Sequence, residues 1–282
     1  MQVFNEINAL KHALSIERKD GKKIGFVPTM GFFHDGHMSL MKEAINETDC
    51  VVVSIFVNPT QFGPGEDFES YPRNMERDLK LCEELGVHYV FTPEVSEMYP
   101  AGYSTFVECE GGITHTLCGA SRPGHFKGVT SVVNKLFNIV EPDLAFFGQK
   151  DAQQVAVLDK MVRDLNMNLK IIPCPIMREN DGLAMSSRNV YLNAIERKEA
   201  LVLSESLKIA SSLIQDGERN SNKIIEQMKA HIMTASSAVI DYVQIVENDN
   251  LSDIDTVVGD VLFAVAVRIG KTRLIDNMRM TI

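Results

Sequence analysis

Two histidines, His34 and His37, stand three residues apart in the segment Pro28-Thr29-Met30-Gly31-Phe32-Phe33-His34-Asp35-Gly36-His37. Imidazoles at this spacing can donate to a phosphate while charge moves on it, hold a metal with Asp35 as third ligand, or simply cap a helix. Their setting favours phosphate. Lys23 to Val27 is short and apolar, Gly36 to Asn46 has helical apolar spacing at Met38, Met41 and Ile45, and Val51 to Val57 is an almost unbroken β-rich run. The unit reads as βαβ, so the histidines fall where a strand hands over to a helix N-terminus. Backbone N–H groups and the positive dipole end favour an anion there.

A second group with chemistry to offer is Gly148-Gln149-Lys150-Asp151, which follows the strand-like run Leu144 to Phe147. A solvent-facing lysine is the bland reading, but it is unattractive because a cation at a helix start opposes the dipole unless an anion sits there. Met185-Ser186-Ser187-Arg188 brings two hydroxyls and a guanidinium together, although by itself it reads more readily as a Ser-rich N-cap loop. Other phosphate motifs fail. Gly270-Lys271-Thr272 looks like the end of a P-loop, but the required earlier glycine would fall at Val265, so the tripeptide reads as a turn. Gly63-Pro64-Gly65 lacks the helix and third glycine of a dinucleotide fingerprint, and neither His-Glu-x-x-His nor Gly-x-Ser-x-Gly occurs.

His34-Asp35-Gly36-His37 resembles the His-x-Gly-His signature of class I nucleotidylyl transferases, and its flanks narrow the resemblance. Pro28-Thr29-Met30-Gly31, Phe56-Val57-Asn58-Pro59-Thr60-Gln61-Phe62, Tyr71-Pro72-Arg73, Arg122-Pro123-Gly124-His125-Phe126, Phe147-Gly148-Gln149-Lys150-Asp151 and Met185-Ser186-Ser187-Arg188-Asn189 are similar, in order and spacing, to the pantothenate synthetase family. The resemblance runs from near Ile24 to near Leu192. It implies an ATP-dependent, AMP-forming ligase that joins (R)-pantoate to β-alanine through a pantoyl adenylate, with Mg2+ bridging the triphosphate, and it implies a homodimer.

By the same resemblance His37, His34 and Lys150 carry the adenylyl transfer. Thr29, Met30, Gly31 and Gly36 join the histidines around ATP, as do Gly148, Gln149 and Asp151 around Lys150. Met177 aligns with the family position whose backbone meets adenine, and Met185, Ser186, Ser187 and Arg188 close on the phosphates. Gln61 and Gln154 are the expected pantoate-holding pair, with Asn58, Arg122 and His125 as further substrate residues. Amides suit pantoate because they bond its hydroxyls and carboxylate without neutralising the carboxylate that must attack. One position departs from the family: Leu117-Cys118-Gly119 stands where Leu-Glu-Gly is common, so a carboxylate is missing.

The elements that must position these residues follow from the pattern. Strand-like runs at Ile24 to Pro28, Val51 to Val57, Val87 to Thr92, Leu144 to Phe147 and Lys170 to Pro173 alternate with helical stretches at Asn74 to Leu85, Ser131 to Ile139 and Ala152 to Leu165. Such alternation predicts an α/β fold with a doubly wound parallel, Rossmann-like N-terminal domain over 1–175. Two helices near Ala194 to Gln215 and Ser221 to Ser236, then strands at Ile240 to Val246 and Val261 to Val267, predict a smaller α+β C-terminal domain over 176–282, which the family resemblance implies closes over the ATP site. Gln61 to Ser70 has neither period and is the expected mobile loop and lid.

Composition frames this reading. A chain of 282 residues, 45% hydrophobic and 23% charged, has room for two domains. No run approaches the roughly 20 apolar residues of a membrane span, and the N-terminus lacks a signal-peptide pattern, so a cytoplasmic protein without membrane contact is expected. The five cysteines are an odd number without a Cys-x-x-Cys pair, which predicts reduced thiols, several of them buried, and no metal knuckle. A formal charge of −10 argues against nucleic acid as a partner and requires a local cation cluster for an anionic substrate, drawn from Arg122, Lys127, Lys150, Arg178 and Arg188.

Overall fold

A computed structural model describes residues 1–282. The chain folds as two compact units. Met1–Cys109, Arg122–Gln149 and Val157–Pro175 form the first; Glu110–Ser121, Lys150–Ala156 and Ile176–Ile282 form the second.

The first unit is built on six parallel strands: β1 (Gln2–Phe4), β2 (Ile24–Thr29), β3 (Cys50–Ile55), β4 (Tyr89–Phe91), β5 (Leu144–Gly148) and β6 (Lys170–Cys174). They lie in the order β1-β4-β3-β2-β5-β6. Every residue of β3 is buried, as a strand covered on both faces requires. From β2 the chain runs outward through the helix Asp35–Glu47 to β3, whereas β5 leads to β6 on the other side. The strand order therefore reverses between β2 and β5, the place where doubly wound sheets bind ligands at the carboxyl ends of their strands. β2 pairs with β3 from Ile24 to Thr29 but with β5 only at Gly25 and Phe26, and Pro28 has no N–H to offer a neighbour. Val27, Phe33, Met41, Val51, Val53 and Phe146 form the core beneath this point.

The second unit holds three antiparallel strands in the order β7 (Ala238–Glu247), β8 (Asp260–Ile269), β9 (Thr272–Thr281). Gly270 and Lys271 turn β8 into β9, with Gly270 at φ +56°, so the P-loop-like tripeptide is a hairpin turn. The helices Val202–Gln215 and Ser221–Ile232 contribute Leu203, Leu207, Ile224 and Met228 to a core shared with Phe263 and Val265 of β8.

Several elements differ from the sequence pattern. The helix expected from Ser131 begins at His125, because Gly124 in the left-handed region (φ +81°) turns the chain into it and Phe126, Val129 and Thr130 are already buried. The single helix expected from Ala194 to Gln215 is two, Ala194–Glu199 and Val202–Gln215. Asn74 is the N-cap of Met75–Leu85, its side chain accepting from the Arg77 N–H. β1, β9 and the helix Ile7–Lys19 lie outside the expected elements.

Candidate active site

The histidine turn is assembled at the carboxyl end of β2. The Thr29 hydroxyl donates to the Ser54 carbonyl across the sheet at 2.7 Å and accepts the Gly31 N–H at 3.2 Å. Gly31 takes φ +82°, and a Cβ there would come within 2.9 Å of Ile55 Cγ2 and 3.0 Å of Asp78 Oδ2, so backbone conformation and space both require glycine. Phe32 follows at φ +53°. The chain then enters the helix Asp35–Glu47 with His34 as N-cap. Its Nδ1 accepts the Gly36 N–H at 3.1 Å, and His37 Nδ1 accepts the His34 N–H at 3.4 Å.

This reciprocal capping decides which nitrogen holds the proton. An Nδ1 that accepts from a backbone N–H cannot itself be protonated, so the neutral form of each ring carries its hydrogen on Nε2. The rings lie 4.1 Å apart, centroid to centroid. The helix N-terminus thus presents two imidazole Nε2–H donors beside its backbone amides, a donor set suited to a phosphate.

Gln61 sits on the next turn of the same unit, in a short 3-10 segment Pro59–Gln61. Its Oε1 accepts from Asn58 Nδ2 at 3.1 Å and its Nε2 lies 3.1 Å from Met30 Sδ, so its amide is aimed by two other expected site residues. Asn58 is 1% exposed. It also donates to the Gly128 carbonyl and accepts from Thr60 and from the Tyr99 hydroxyl at 2.7 Å. With donors and acceptor spent inside the protein, Asn58 orients Gln61 instead of presenting a group of its own.

Arg122 grips Glu66 with two parallel bonds, Nε to Oε1 at 2.7 Å and Nη2 to Oε2 at 2.6 Å. Burial works against the Glu66 charge, but the guanidinium beside it leaves its carboxyl below the usual carboxylate range. His125 Nδ1 is 2.8 Å from the Gln61 carbonyl, which can only accept, so Nδ1 carries the proton and Nε2 accepts from Arg122 Nη1 at 3.0 Å. Arg122 and His125 therefore anchor the loop that follows Gln61.

In the second unit Lys150 lies in the 3-10 turn Gln149–Asp151 ahead of the helix Ala152–Asp164, and its carbonyl accepts from Asn277 Nδ2 at 2.9 Å. Of the adjacent glutamines, Gln153 is buried and bound to Cys118 N–H and to the Ile113 and Thr116 carbonyls, while Gln154 is only half-buried. Met177 and Met185 face each other in a two-residue ladder, the Met185 N–H donating to the Met177 carbonyl and Arg178 bridging to Ala184. Ser186 caps the 3-10 turn Ser187–Tyr191 by accepting from the Arg188 N–H, and Ser187 is buried. Met177 is an exposed hydrophobic at 39% and not core filling.

Among the expected cations, Arg122 pairs with Glu66, Lys127 with Glu108 and Arg178 with Asp276. Cys118, at the departing position, has its Sγ 3.2 Å from the Tyr242 hydroxyl and 3.5 Å from Arg273, which takes its carboxylate from Asp241 at 2.7 Å. Burial raises the Tyr242 hydroxyl well above its ordinary pKa. Glu66, Asp78, Gln153 and Tyr99 were beyond sequence reading because their partners lie far along the chain; Asp78 bonds residues 46 and 45 positions away.

A doubly wound parallel sheet with an imidazole pair at a helix N-terminus, next to the reversal of strand order, defines a nucleotide-binding α/β protein of the phosphate-handling kind. The chain belongs to the pantoate-beta-alanine ligase family, whose sequence profile matches residues 2–279. A pantothenate synthetase of Acetivibrio thermocellus is 58% identical over 278 residues, 99% of each chain, and one of Thermotoga neapolitana is 56% identical over 277 residues, 98% of this chain and 99% of its own. The crystal structure of pantothenate synthetase from Thermus thermophilus superposes with a TM-score of 0.94 at 42% identity, covering 99% of both chains. That of pantoate-beta-alanine ligase from Francisella tularensis, complexed with beta-gamma ATP and beta-alanine, gives 0.80 at 35% identity over 99% of this chain and 97% of its own.

Proposed function

We propose that this protein joins (R)-pantoate to β-alanine at the expense of ATP, through an enzyme-held pantoyl adenylate. In the first step a pantoate carboxylate oxygen attacks the α-phosphorus of ATP and diphosphate leaves with the electron pair of the broken P–O bond. In the second, the free amine of β-alanine attacks the acyl carbon, AMP leaves with the pair of the C–O bond, and the amine loses a proton. The observation that carries this reading is the capping arrangement of His34 and His37, which turns both Nε2–H groups into donors at a helix N-terminus. Adenylyl transfer asks chiefly for alignment and for donors aimed at the charge that builds on phosphorus, and neutral imidazoles supply this without repelling other cations.

The remaining roles follow the family. Lys150, Ser186, Ser187 and Arg188 bind ATP phosphates, with Asp151 at the ribose or the helix cap and Met177 at adenine. Gly148 supports a ligand's close approach, since it does not take positive φ and a Cβ there would meet nothing within 4 Å, so the protein's own packing does not require glycine. Gln61 and Gln154 hold pantoate. Magnesium would come with the nucleotide and not from a protein carboxylate cluster, and would offset charge on the leaving diphosphate. The family also supports a homodimer in the cytoplasm, and no helix is long and apolar enough to cross a membrane.

The test is isotope exchange. With pantoate and magnesium present and β-alanine absent, labelled diphosphate should pass into ATP, and added β-alanine should divert the intermediate to pantothenate and free AMP. Exchange that requires β-alanine would rule out the two-step order. AMP retained on the product would make the protein an adenylyl transferase instead, and exchange without pantoate would mean a different acceptor.

A further inference from the structure

We infer that Asp78 is a positioning residue for the adenylyl transfer, acting through His34 and His37 by fixing the turn that carries them. The inference rests on the histidine roles proposed above. Asp78 is a carboxylate only 1% exposed, on the helix Met75–Leu85. A carboxylate removed from water needs donors, and Asp78 finds them in two successive backbone amides: Phe32 N–H to Oδ2 at 2.6 Å and Phe33 N–H to Oδ1 at 2.8 Å. Those amides belong to the strained part of the turn. Phe32 has φ +53°, a conformation unfavourable for a side chain with Cβ, which persists only where its surroundings determine it.

The next amide along the chain is His34 N–H, the donor that settles the His37 tautomer, and the one after Asp35 is Gly36 N–H, the donor that settles His34. Asp78 thus holds one end of a short run of amides whose other end orients both imidazoles. Without the carboxylate, Phe32 is released toward negative φ and the His34 N–H turns from His37 Nδ1. That nitrogen is then open to the proton that belongs on Nε2. Arg77, whose guanidinium stands 5.7 Å above the Phe32 ring, packs the same residue from the same helix but bonds neither amide.

Asp78→Asn tests this, because it keeps the size of the side chain while setting an amide NH2 against one of the two backbone donors. Pantoate-dependent exchange of diphosphate into ATP should fall by about ten- to a hundredfold in kcat, with the ATP KM changed less than about threefold. The same substitution in a His37→Ala background should cost less than about threefold, since the group it positions is gone. Equal losses in both backgrounds, or exchange by Asp78→Asn within about twofold of the unaltered protein, would overturn the proposal. A silent His37→Ala would instead remove the histidine reading, and the proposal with it. If Asp78→Asn folds poorly, Asp78→Glu takes its place, keeping the charge but shifting it by one methylene from the two amides. Nitrogen-15 spectra of the Asp78 variant should show His37 as a mixture of tautomers, which adding Phe32→Gly should draw back toward Nε2–H because glycine accepts positive φ without strain; a single Nε2–H form in the variant that keeps Phe32 would count decisively against the positioning role.

Discussion

At the scale of single residues, the capped imidazoles give the sharpest expectation. If His37 donates to charge developing in the transition state, as proposed, His37→Ala should lower kcat by about a hundredfold or more while the ATP KM changes little. A kcat within a few-fold of the unaltered enzyme would remove His37 from the chemistry. On the proposed role of Lys150 as a cation on the triphosphate, which acts in the ground state as well, Lys150→Ala should raise the ATP KM and lower kcat together; an unchanged KM would return Lys150 to the solvent-facing role that its sequence context also allows. The thiols make a separate case. Burial pushes Cys50 and Cys82 up to about 12 and Cys174 up to about 11, so none of the three is a thiolate at neutral pH. Iodoacetamide should therefore label the half-buried Cys109 before any of them, and early labelling of Cys50 in the folded protein would contradict this.

At the scale of elements, the loop after Gln61 is tied down as well as irregular. Besides the Arg122 fork on Glu66, Arg73 donates to the carbonyls of Phe68, Glu69 and Tyr71, and the Phe62 ring meets those of Phe68 and Tyr71. The Glu66 pKa is lowered in the fold, so the pair's contribution is fully present above the unfolded value near 4.5 and is lost as pH falls through the folded one. Amide exchange over residues 62–70, corrected for its intrinsic pH dependence, should then be slow at pH 7 and quicken in acid, and Arg122→Gln at pH 7 should match the acid behaviour. Unchanged protection in Arg122→Gln would mean that the ring contacts alone hold the loop. Gly128 restrains the preceding turn from the other side: a Cβ there would lie 2.2 Å from the Thr60 carbonyl oxygen and 2.7 Å from Gln61 Cα. Gly128→Ala must displace the Pro59–Gln61 segment, at a cost of about 1–3 kcal/mol. The pantoate KM should rise while that for ATP holds, and an unaltered pantoate KM would disconnect this packing from Gln61.

At the scale of the whole molecule, what was legible in the sequence was whatever one side of a chain segment reveals by itself. β3 and β5 read as strands because parallel strands buried on both faces are continuous apolar runs. β9 did not, because Asp276 and Asn277 are buried polar residues in its middle, and polarity there imitates a loop. The histidines, Lys150 and the glutamines were legible as residue types at family spacing, whereas their supports were not, since Asp78, Tyr99 and Glu66 act through contacts that no local pattern encodes. The grouping of Glu110–Ser121 and Lys150–Ala156 with the second unit is of the same kind, fixed in part by the buried Gln153 bonded to Ile113, Thr116 and Cys118.

The second unit shows how such supports join stability to function. Phe263 is fully buried on β8 in a core with Leu203, Ile224 and Val265, and Val265 is in register with Asp276 of β9. Asp276 in turn receives two bonds from Arg178, at 2.6 and 2.9 Å, and Arg178 closes the ladder between Met177 and Met185. The nucleotide segment proposed for adenine and phosphate thus hangs on a strand whose place is secured by the core behind β8. Phe263→Ala leaves a cavity and should cost about 3–5 kcal/mol in urea unfolding. Phe263 bonds to no site residue, so kcat at 25 °C should stay within a few-fold. The temperature at which activity disappears should fall together with the loss of amide protection in β8 and β9. Loss of activity well below the temperature at which that protection is lost would mean that the segment opens independently of the sheet, and that the Arg178–Asp276 pair does not couple them.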